Sequence, residues 1–220
     1  EKIISNLENF LIDYEIIFID DGSIDSSWSV IKNLCSSSKK TKGVQFLTNY
    51  GKSMALSEGF KLAKGKIVIT MDADLQDDPK EIIPLYNMIT ENNYDIVSGW
   101  KKKRYDSLIF KNLPSKLFNF AARLSSGISL NDFNCGIKAY KSDVIKEIEL
   151  TSGMHRYIPV LAKKSGFHKI AEKIVKHHPR VHGNTKYGPD RFIKGFLDLI
   201  TLSFFSRFGK RPMHFFGLFG

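Results

Sequence analysis

The chain has 220 residues, 42% of them hydrophobic and 25% charged, and a formal net charge of +10. This composition is typical of a globular protein with one continuous core. Two cysteines, Cys35 and Cys135, exclude a disulfide framework and a cysteine-based metal site. No run of 18 apolar residues is free of charge, which argues against a membrane-spanning helix in this sequence.

Apolar runs and helical periodicities alternate along the first hundred residues. The alternation has short links, which implies right-handed crossovers and a parallel sheet. We therefore predict a Rossmann-like half. In chain order the pattern predicts a helix over 3–11, a strand at 15–19, a helix from Ser26 or Ser27 through Leu34, a strand at 44–47, a helix over 52–64, a strand at 66–71, a helix starting at Asp78-Pro79 and a strand at 94–97.

The regular alternation of strands and helices ends after residue 100. The pattern predicts a helix over 113–126, a strand at 136–140, helices over 142–148 and 155–164, a strand at 168–177 and a last helix from Tyr187 to about residue 205. No linker divides the two halves, so we predict one domain over 1–200. Residues 201–220 mix phenylalanines with basic residues, which suits a membrane interface leading to spanning helices further on; the alternative is a helix that closes the core.

Carboxylates follow two of the predicted strands. Asp20 and Asp21 end the first strand, and Asp72 and Asp74 end the third. Ligands of parallel sheets bind beyond the carboxyl ends of the strands, so these side chains should converge. With Gln76 they form an oxygen-only set that favours Mg²⁺ or Mn²⁺, completed by substrate phosphates.

Positive charge is concentrated in two windows that flank this acidic centre. Residues 101–123 carry seven Lys or Arg against one Asp, and residues 163–194 carry nine against one Glu and one Asp. The pattern suits a polyanionic ligand held through a metal, or an anionic surface such as nucleic acid or lipid headgroups. Nucleic acid is the weaker interpretation, because an acidic loop without metal repels phosphate. Solvated helix faces are the alternative for any single lysine.

Six stretches taken together match one family. The chain resembles the family-2 glycosyltransferases of GT-A fold, and within them the dolichyl-phosphate mannosyltransferase and bacterial polyprenyl-phosphate glycosyltransferase branch. The resemblance implies an α/β fold of GT-A type, Rossmann-like, with a mostly parallel central sheet flanked by helices. The stretches are FIDDGSIDSS, NYGKSMALSEGF, MDADLQDDP, LPSKLFNFAARLSSGISLNDFNCGIKAY, HRYIPVLA and HHPRVHGNTKYG.

The resemblance also implies roles for residues of these stretches. Asp72, Asp74 and Gln76 would hold the metal, and Asp74 and Asp132 would be the catalytic residues, with Asp132 on the acceptor side or, alternatively, only forming a loop turn. Nucleotide-sugar contacts are expected from Asp20, Asp21, Lys52, Asp72, Ala73, Asp74, Gln76, Lys101, Arg180 and Lys186. Acceptor phosphate or lipid contacts are expected from Arg104, Lys116, Arg123, His155 and Arg156.

Two departures from the branch are visible. Its opening strand and Pro-x-Tyr-Asn-Glu motif are absent apart from Glu1, so we expect an N-terminal strand to be missing. Lys101 stands where relatives carry Arg, and a lysine supplies charge without a bidentate fork. Asp77 and Asp78 are interpreted as helix-capping residues before Pro79.

The predicted function is inverting sugar transfer from a nucleotide diphosphate sugar to a polyprenyl phosphate, undecaprenyl or dolichyl, at the cytoplasmic face of the membrane. A UDP-sugar is favoured, with GDP-mannose second; the expected partners are these substrates and the membrane surface, and nucleic acid is not expected. A metal-dependent sugar-phosphate nucleotidyltransferase and a non-enzymatic basic membrane-binding module remain alternatives. A dehydrogenase is disfavoured because no Gly-x-Gly-x-x-Gly follows a predicted strand, and an aspartyl-phosphate phosphatase because Leu75-Gln76 replaces the usual Gly-Thr.

Overall fold

The structure is a computed structural model of the chain. It describes residues 2–10, 12–102, 119–151 apart from 121 and 125, and 153–179, together with residues 197, 201 and 204. The predicted last helix and the segment 201–220 therefore lie almost entirely outside the described residues, and the domain boundary at 200 stays a prediction.

The first hundred residues form alternating helices and strands, as predicted. Strand ends differ from the predicted ones by up to three residues. The elements are α1 (Lys2–Asn9), β1 (Ile16–Asp20), α2 (Ser27–Ser37), β2 (Thr41–Gln45), α3 (Lys52–Leu62), β3 (Ile67–Thr70), a 3₁₀ turn (Pro79–Glu81), α4 (Ile82–Thr90) and β4 (Ile96–Trp100). The predicted start at Asp78-Pro79 is confirmed: the Asp78 carboxylate accepts a hydrogen bond from the backbone N–H of Lys80.

The later elements also follow the predicted order. Residues 119, 120, 122–124 and 126 are helical, and we call this segment the 119–126 helix. After it come β5 (Lys138–Lys141), α5 (Ser142–Glu147), a 3₁₀ turn (Met154–Tyr157), α6 (Ile158–Lys164) and β6 (Ile170–Ile174). Pro159 lies in the first turn of α6, where its missing N–H costs no helical hydrogen bond.

The strands pair in two groups. β1 and β2 pair in parallel, and a four-stranded sheet has the order β3-β5-β4-β6. β4 and β6 are parallel, whereas β5 runs antiparallel to both β3 and β4. The parallel pairs agree with the sequence pattern. The reversed β5 was not predicted; it enters where the strand–helix alternation of the first half has ended.

Side chains alternate between the two faces of this sheet. Ile96 of β4 and Tyr140 of β5 pack with Phe60 of α3 and with residues of α5 and α6. Their neighbours Val97 and Ala139 pack instead with α4. Since successive strand residues point to opposite faces, the sheet has a hydrophobic core on each side.

The architecture is thus α/β, with helices packed on both faces of a mixed sheet, in agreement with the predicted fold class. In the part of the chain that the structure describes, none of the helices is both long enough and apolar enough to span a bilayer.

Candidate active site

The first acidic loop follows β1 and is hydrogen-bonded to the residues that precede α3. The Asp21 carboxylate accepts hydrogen bonds from the backbone N–H groups of Tyr50, at 2.7 Å, and Gly51. Gly22 has a φ of +72° and lies against the backbone of Thr48, so the close approach requires glycine. Negative charge at a helix N-terminus is stabilising. Asp21 therefore fixes the loop that carries Lys52.

Asp20 is buried beside this loop. Its Oδ1 accepts a hydrogen bond from the backbone N–H of Ser23 at 3.1 Å. Its buried Oδ2 has no hydrogen-bond partner among the described residues. Buried polar atoms are normally paired, so this oxygen is a candidate contact for a polar ligand.

The second acidic loop follows β3, and Lys52 joins it to the first. The Lys52 ammonium donates to Asp72 Oδ1 at 2.5 Å. A Cβ at Gly136, which precedes β5, would overlap the Asp72 carboxylate, so glycine makes room for it. Burial raises the pKa of Asp72, but Lys52, with Lys101 and Lys138, outweighs burial and holds the pKa below its ordinary value. Asp72 is therefore ionised, and Lys52 connects the loop after β3 to the loop after β1.

A tight turn follows Asp72. Asp74 Oδ1 accepts from the backbone N–H of Gln76 at 3.2 Å, and Leu75 between them has a φ of +63°. Such a conformation is rare for a branched side chain and must be held by its surroundings. The backbone of Gln76 and the Gln76 side chain both bond to the backbone of His178, and Asp77 bridges to His177. The segment after β6 thus holds the acidic turn.

Asp77 does not cap the helix as its sequence position suggested. Its buried side chain lies 2.7 Å from the Lys101 ammonium, at the end of β4. Burial lowers the pKa of Lys101, but the carboxylates of Asp77 and Asp72 outweigh burial and hold the pKa above its ordinary value. Lys101 is therefore charged, and its ion pair with Asp77 attaches it to the acidic turn. Asp78 does cap, and it also lies 3.2 Å from His178 Nε2.

A buried lysine lies behind the acidic loop. Lys138 of β5 donates to the backbone carbonyls of Phe133, at 3.1 Å, and Cys135. Burial lowers the pKa of Lys138. Burial also raises the pKa of the neighbouring Cys135 thiol, to about 12. Cys135 is therefore an un-ionised packing residue, while Cys35 is only half-buried.

His155 is hydrogen-bonded to Ser53, the residue that follows Lys52 in α3, and therefore lies near Lys52. The Ser53 hydroxyl accepts from the His155 backbone N–H at 3.0 Å and lies 3.0 Å from His155 Nδ1. The hydroxyl proton can be donated to an unprotonated Nδ1, and in that tautomer the imidazole proton is on Nε2. Burial, together with the nearby Arg156, Lys52 and Lys138, lowers the pKa of His155 to about 3.

Asp132 is almost fully buried in the loop before β5, with 1% of its surface exposed. Its Oδ1 accepts from the backbone N–H of Asn134 at 3.1 Å, which is the loop turn considered as the alternative role. Glu172 of β6 accepts from the backbone N–H of Asp132 at 2.8 Å. Burial raises the pKa of Glu172, with a further contribution from Asp132.

The remaining predicted residues fall into two groups. Arg123 donates to Asn131 Oδ1 at 3.1 Å, Ala73 is exposed in the acidic turn, and Arg156 follows His155. Arg104, Lys116, Arg180 and Lys186 lie outside the described residues.

The predicted metal ligands carry the oxygen donors that a hard divalent cation prefers. Among the described residues, no three His, Cys, Asp or Glu side chains converge as a metal-binding group. The predicted set, Asp72, Asp74 and Gln76, has two carboxylates and an amide, which leaves positions for phosphate oxygens and water, as Mg²⁺ prefers. The Lys52 ammonium at Asp72 is the group that a cation would compete with.

Sequence reasoning missed several polar residues that shape this site. Glu172, Asn119, Ser98 and Ser53 all bond to its loops. Lys138 carried the clearest available signal, a charge in the apolar run GIKAY, and Glu172 was an isolated acid in a basic window.

The comparisons with known proteins agree with this arrangement. A family model described as "Glycosyl transferase family 2" matches residues 1–149. The chain belongs to this family. It is 34% identical, over its full length, to a dodecaprenyl-phosphate galacturonate synthase of Rhizobium johnstonii and covers 66% of that protein. It is 36% identical over 189 residues to an undecaprenyl-phosphate 4-deoxy-4-formamido-L-arabinose transferase of Pseudomonas syringae, covering 86% of the chain and 55% of that relative.

Solved structures give the same fold. Glucosyl-3-phosphoglycerate synthase of Mycobacterium tuberculosis, in complex with phosphoglyceric acid, superposes with a TM-score of 0.67 at 17% identity, covering 92% of this chain and 74% of that one. The same synthase with Mn²⁺ and UDP-glucose superposes with a TM-score of 0.65 at 21% identity, covering 94% and 73%. The predicted family and GT-A type fold are thereby confirmed. The chain spans between about half and two thirds of the curated relatives' lengths.

We predict that His155 is neutral over the whole pH range in which the chain is folded. Its folded pKa of about 3 lies below the ordinary 6.5, so the unfolded chain takes up a proton first as the pH falls. Stability is therefore lost between pH 6.5 and 3, and His155→Asn should make the melting temperature less sensitive to acid in this range. NMR of the imidazole nitrogens checks the charge state: a midpoint near pH 6.5 for His155 contradicts the assignment, and the exposed His168 is the internal control.

Proposed function

We propose that this chain is the catalytic part of a transferase that moves a sugar from a nucleoside diphosphate to a polyprenyl phosphate. The observation that carries the proposal is the 34% identity to a dodecaprenyl-phosphate galacturonate synthase over the whole chain, including the acceptor-side stretches. A UDP-sugar is the favoured donor, since the structural neighbour binds UDP-glucose, with GDP-mannose second. Because the chain covers only part of its relatives, the proposal concerns the whole protein to which it belongs.

The donor would lie across the crevice between the two acidic loops. Asp20 has a buried oxygen free for a base or ribose, and Asp21 holds the loop bearing Lys52. Asp72, Asp74 and Gln76 would hold Mg²⁺ or Mn²⁺, which when bound neutralises negative charge on the diphosphate. Lys52 would be a second cation for the same charge. Lys101 is better assigned to holding Asp77 than to binding phosphate, given their ion pair.

The reaction would be an in-line displacement with inversion. An oxygen of the acceptor phosphate forms a bond to the anomeric carbon while the bond from that carbon to the diphosphate oxygen breaks, and its electron pair leaves with the nucleoside diphosphate. A phosphate monoester is largely dianionic at pH 7, since its second pKa is about 6. A strong general base is therefore unnecessary. Asp132 would orient the acceptor or its neighbours, and the neutral His155 would offer an Nε2–H as a hydrogen-bond donor.

A lipid-linked acceptor requires contact with the membrane surface. The 119–126 helix exposes two apolar side chains one turn apart, Phe120 at 58% and Leu124 at 79%. It overlaps the end of the basic window 101–123, which would attract anionic headgroups by roughly 1 kcal/mol per Lys or Arg. We therefore propose that this helix faces the cytoplasmic leaflet.

The activity is tested with Asp74→Ala. Incubation with a UDP-sugar, Mn²⁺ and undecaprenyl phosphate should release UDP and form a lipid-linked sugar. Asp74→Ala should lower the rate by more than about 100-fold with unchanged melting temperature, because transition-state charge loses its stabilisation. Asp13→Ala, at an exposed surface carboxylate, is the control. Wild-type turnover in Asp74→Ala would reject the metal site, and turnover only of nucleoside triphosphate with sugar phosphate would reject the transferase.

The Lys52–Asp72 ion pair gives a second prediction. Without nucleotide, a divalent cation must displace the Lys52 ammonium from Asp72, so Lys52→Met should bind Mn²⁺ about three- to tenfold more tightly. The same variant should bind the UDP-sugar more weakly, since a phosphate-binding cation is lost. Titration of free Mn²⁺ by electron paramagnetic resonance measures the first effect. Lys61→Met, on the exposed side of α3, is the matched control, and equal Mn²⁺ affinity in the two variants would contradict the competition.

Membrane contact is tested by flotation with liposomes containing phosphatidylglycerol at low salt. The double variant Phe120→Ser, Leu124→Ser should float less than the wild type, because the apolar face of the 119–126 helix is lost. The matched control is Phe10→Ser, Val30→Ser, which removes two side chains of similar exposure, 57% and 55%, from another part of the surface. Equal flotation of both double variants would argue against this face.

A further inference from the structure

The loop that carries Asp132 is held by side chains. The N–H and C=O groups of residues 131–133 bond to side chains from β4, β5, β6 and the 119–126 helix. The N–H groups of Asn131 and Asp132 both donate to Glu172 Oε1, at 2.8 Å each, and the N–H of Phe133 donates to Asn119 Oδ1 at 3.3 Å. The carbonyl of Asn131 accepts from Asn119 Nδ2 at 2.7 Å. The carbonyl of Asp132 accepts from Ser98 Oγ at 3.4 Å, and that of Phe133 accepts from Lys138 Nζ at 3.1 Å.

Glu172 makes the largest contribution to this arrangement. In addition to the two backbone donors at Oε1, its Oε2 accepts from Asn131 Nδ2 at 2.8 Å. Three N–H donors therefore converge on its two oxygens and join the loop to β6. The register of β4 and β6 sets Glu172 beside Ser98, which bonds to the same loop. Two adjacent strands therefore fix both the N–H and the C=O of Asp132.

The loop is bonded from its other side by the 119–126 helix. Asn119 is buried and bridges the carbonyl of Asn131 and the N–H of Phe133. Arg123 donates to the side-chain oxygen of Asn131, whose amide nitrogen donates to Glu172. Asn131 is thus the residue at which β6 and the helix meet.

We propose that Glu172 is a positioning residue that sets the place of Asp132 at the acceptor side of the site. The proposal rests on the transferase function proposed above. The Asp132 side chain is buried and can turn only as its backbone allows, and Glu172 fixes that backbone. Removing the Glu172 bonds lets the loop shift, and a displacement of about 1 Å in a positioning group can lower a rate by about 100-fold.

The direct test is Glu172→Gln. Glutamine keeps one acceptor oxygen for the two backbone donors but turns an NH₂ group toward the amide nitrogen of Asn131, so two donors face each other. We expect kcat/KM for polyprenyl phosphate to fall by about 10- to 100-fold while the KM for the nucleotide sugar is unchanged. Adding Asn131→Asp should restore activity, because the aspartate accepts from the glutamine and keeps an oxygen for Arg123.

Glu81→Gln is the matched control. Glu81 is also a partly buried carboxylate, and it accepts from the Lys173 ammonium and the backbone N–H of Lys176, near the other end of β6. It contacts no residue of the Asp132 loop. A general loss of stability would affect the two variants alike, whereas loss of positioning lowers acceptor kcat/KM only in Glu172→Gln.

Amide hydrogen exchange provides a readout that does not depend on turnover. Exchange at Asn131 and Asp132 should be at least about tenfold faster in Glu172→Gln than in the wild type, and slower again in the double variant, since each lost hydrogen bond eases local opening. Unchanged exchange, or an equal effect of Glu81→Gln on acceptor kcat/KM, would overturn the positioning role. Absence of sugar transfer by the wild type would instead reject the proposed function, and the exchange rates would still report whether Glu172 holds the loop.

Discussion

The structure depends on how the acidic turn after β3 is neutralised. Asp77 is buried and Asp72 is partly buried, and an unpaired buried carboxylate costs several kcal/mol. Lysines from two different elements supply the counter-charge: Lys52 at the start of α3 and Lys101 at the end of β4. These ion pairs tie the helix and the strand to the turn, so one electrostatic requirement fixes the geometry of the crevice. A divalent cation is therefore not needed to balance these charges in the absence of ligand.

The same arrangement suits the proposed function, in which the site accepts a cation and a diphosphate together. Lys52 is only partly buried and can exchange Asp72 for a phosphate oxygen, whereas the buried Lys101–Asp77 pair is costly to break, by about 3–5 kcal/mol if one partner is lost. One lysine is thus available to a ligand, and the other maintains the loop. In the proposed reaction, charge would be redistributed between existing partners without rebuilding the site.

The sequence allowed the local features to be predicted and left the long-range pairings open. The β1 and β3 strands, the start of α3 and the Asp78 cap follow from short apolar runs and capping residues, and they are present. The β5 strand was predicted but its reversed direction was missed, because a four-residue strand has no periodicity that reveals its direction. Capping was also the wrong interpretation of Asp77, since its partner Lys101 is 24 positions away and nothing local identifies it.

The acceptor side shows most clearly why such pairings resist prediction. A buried backbone N–H or C=O left without a partner costs about 1–3 kcal/mol, so a loop that forms no backbone ladder must bury polar side chains to satisfy itself. Asn119, Ser98 and Lys138 are buried for this reason, although each residue type is usually exposed. In the sequence, the local sign of this loop's bonding is that these polar residues lie within apolar stretches. Because stability and the placement of Asp132 rest on the same bonds, selection on either property constrains the same residues.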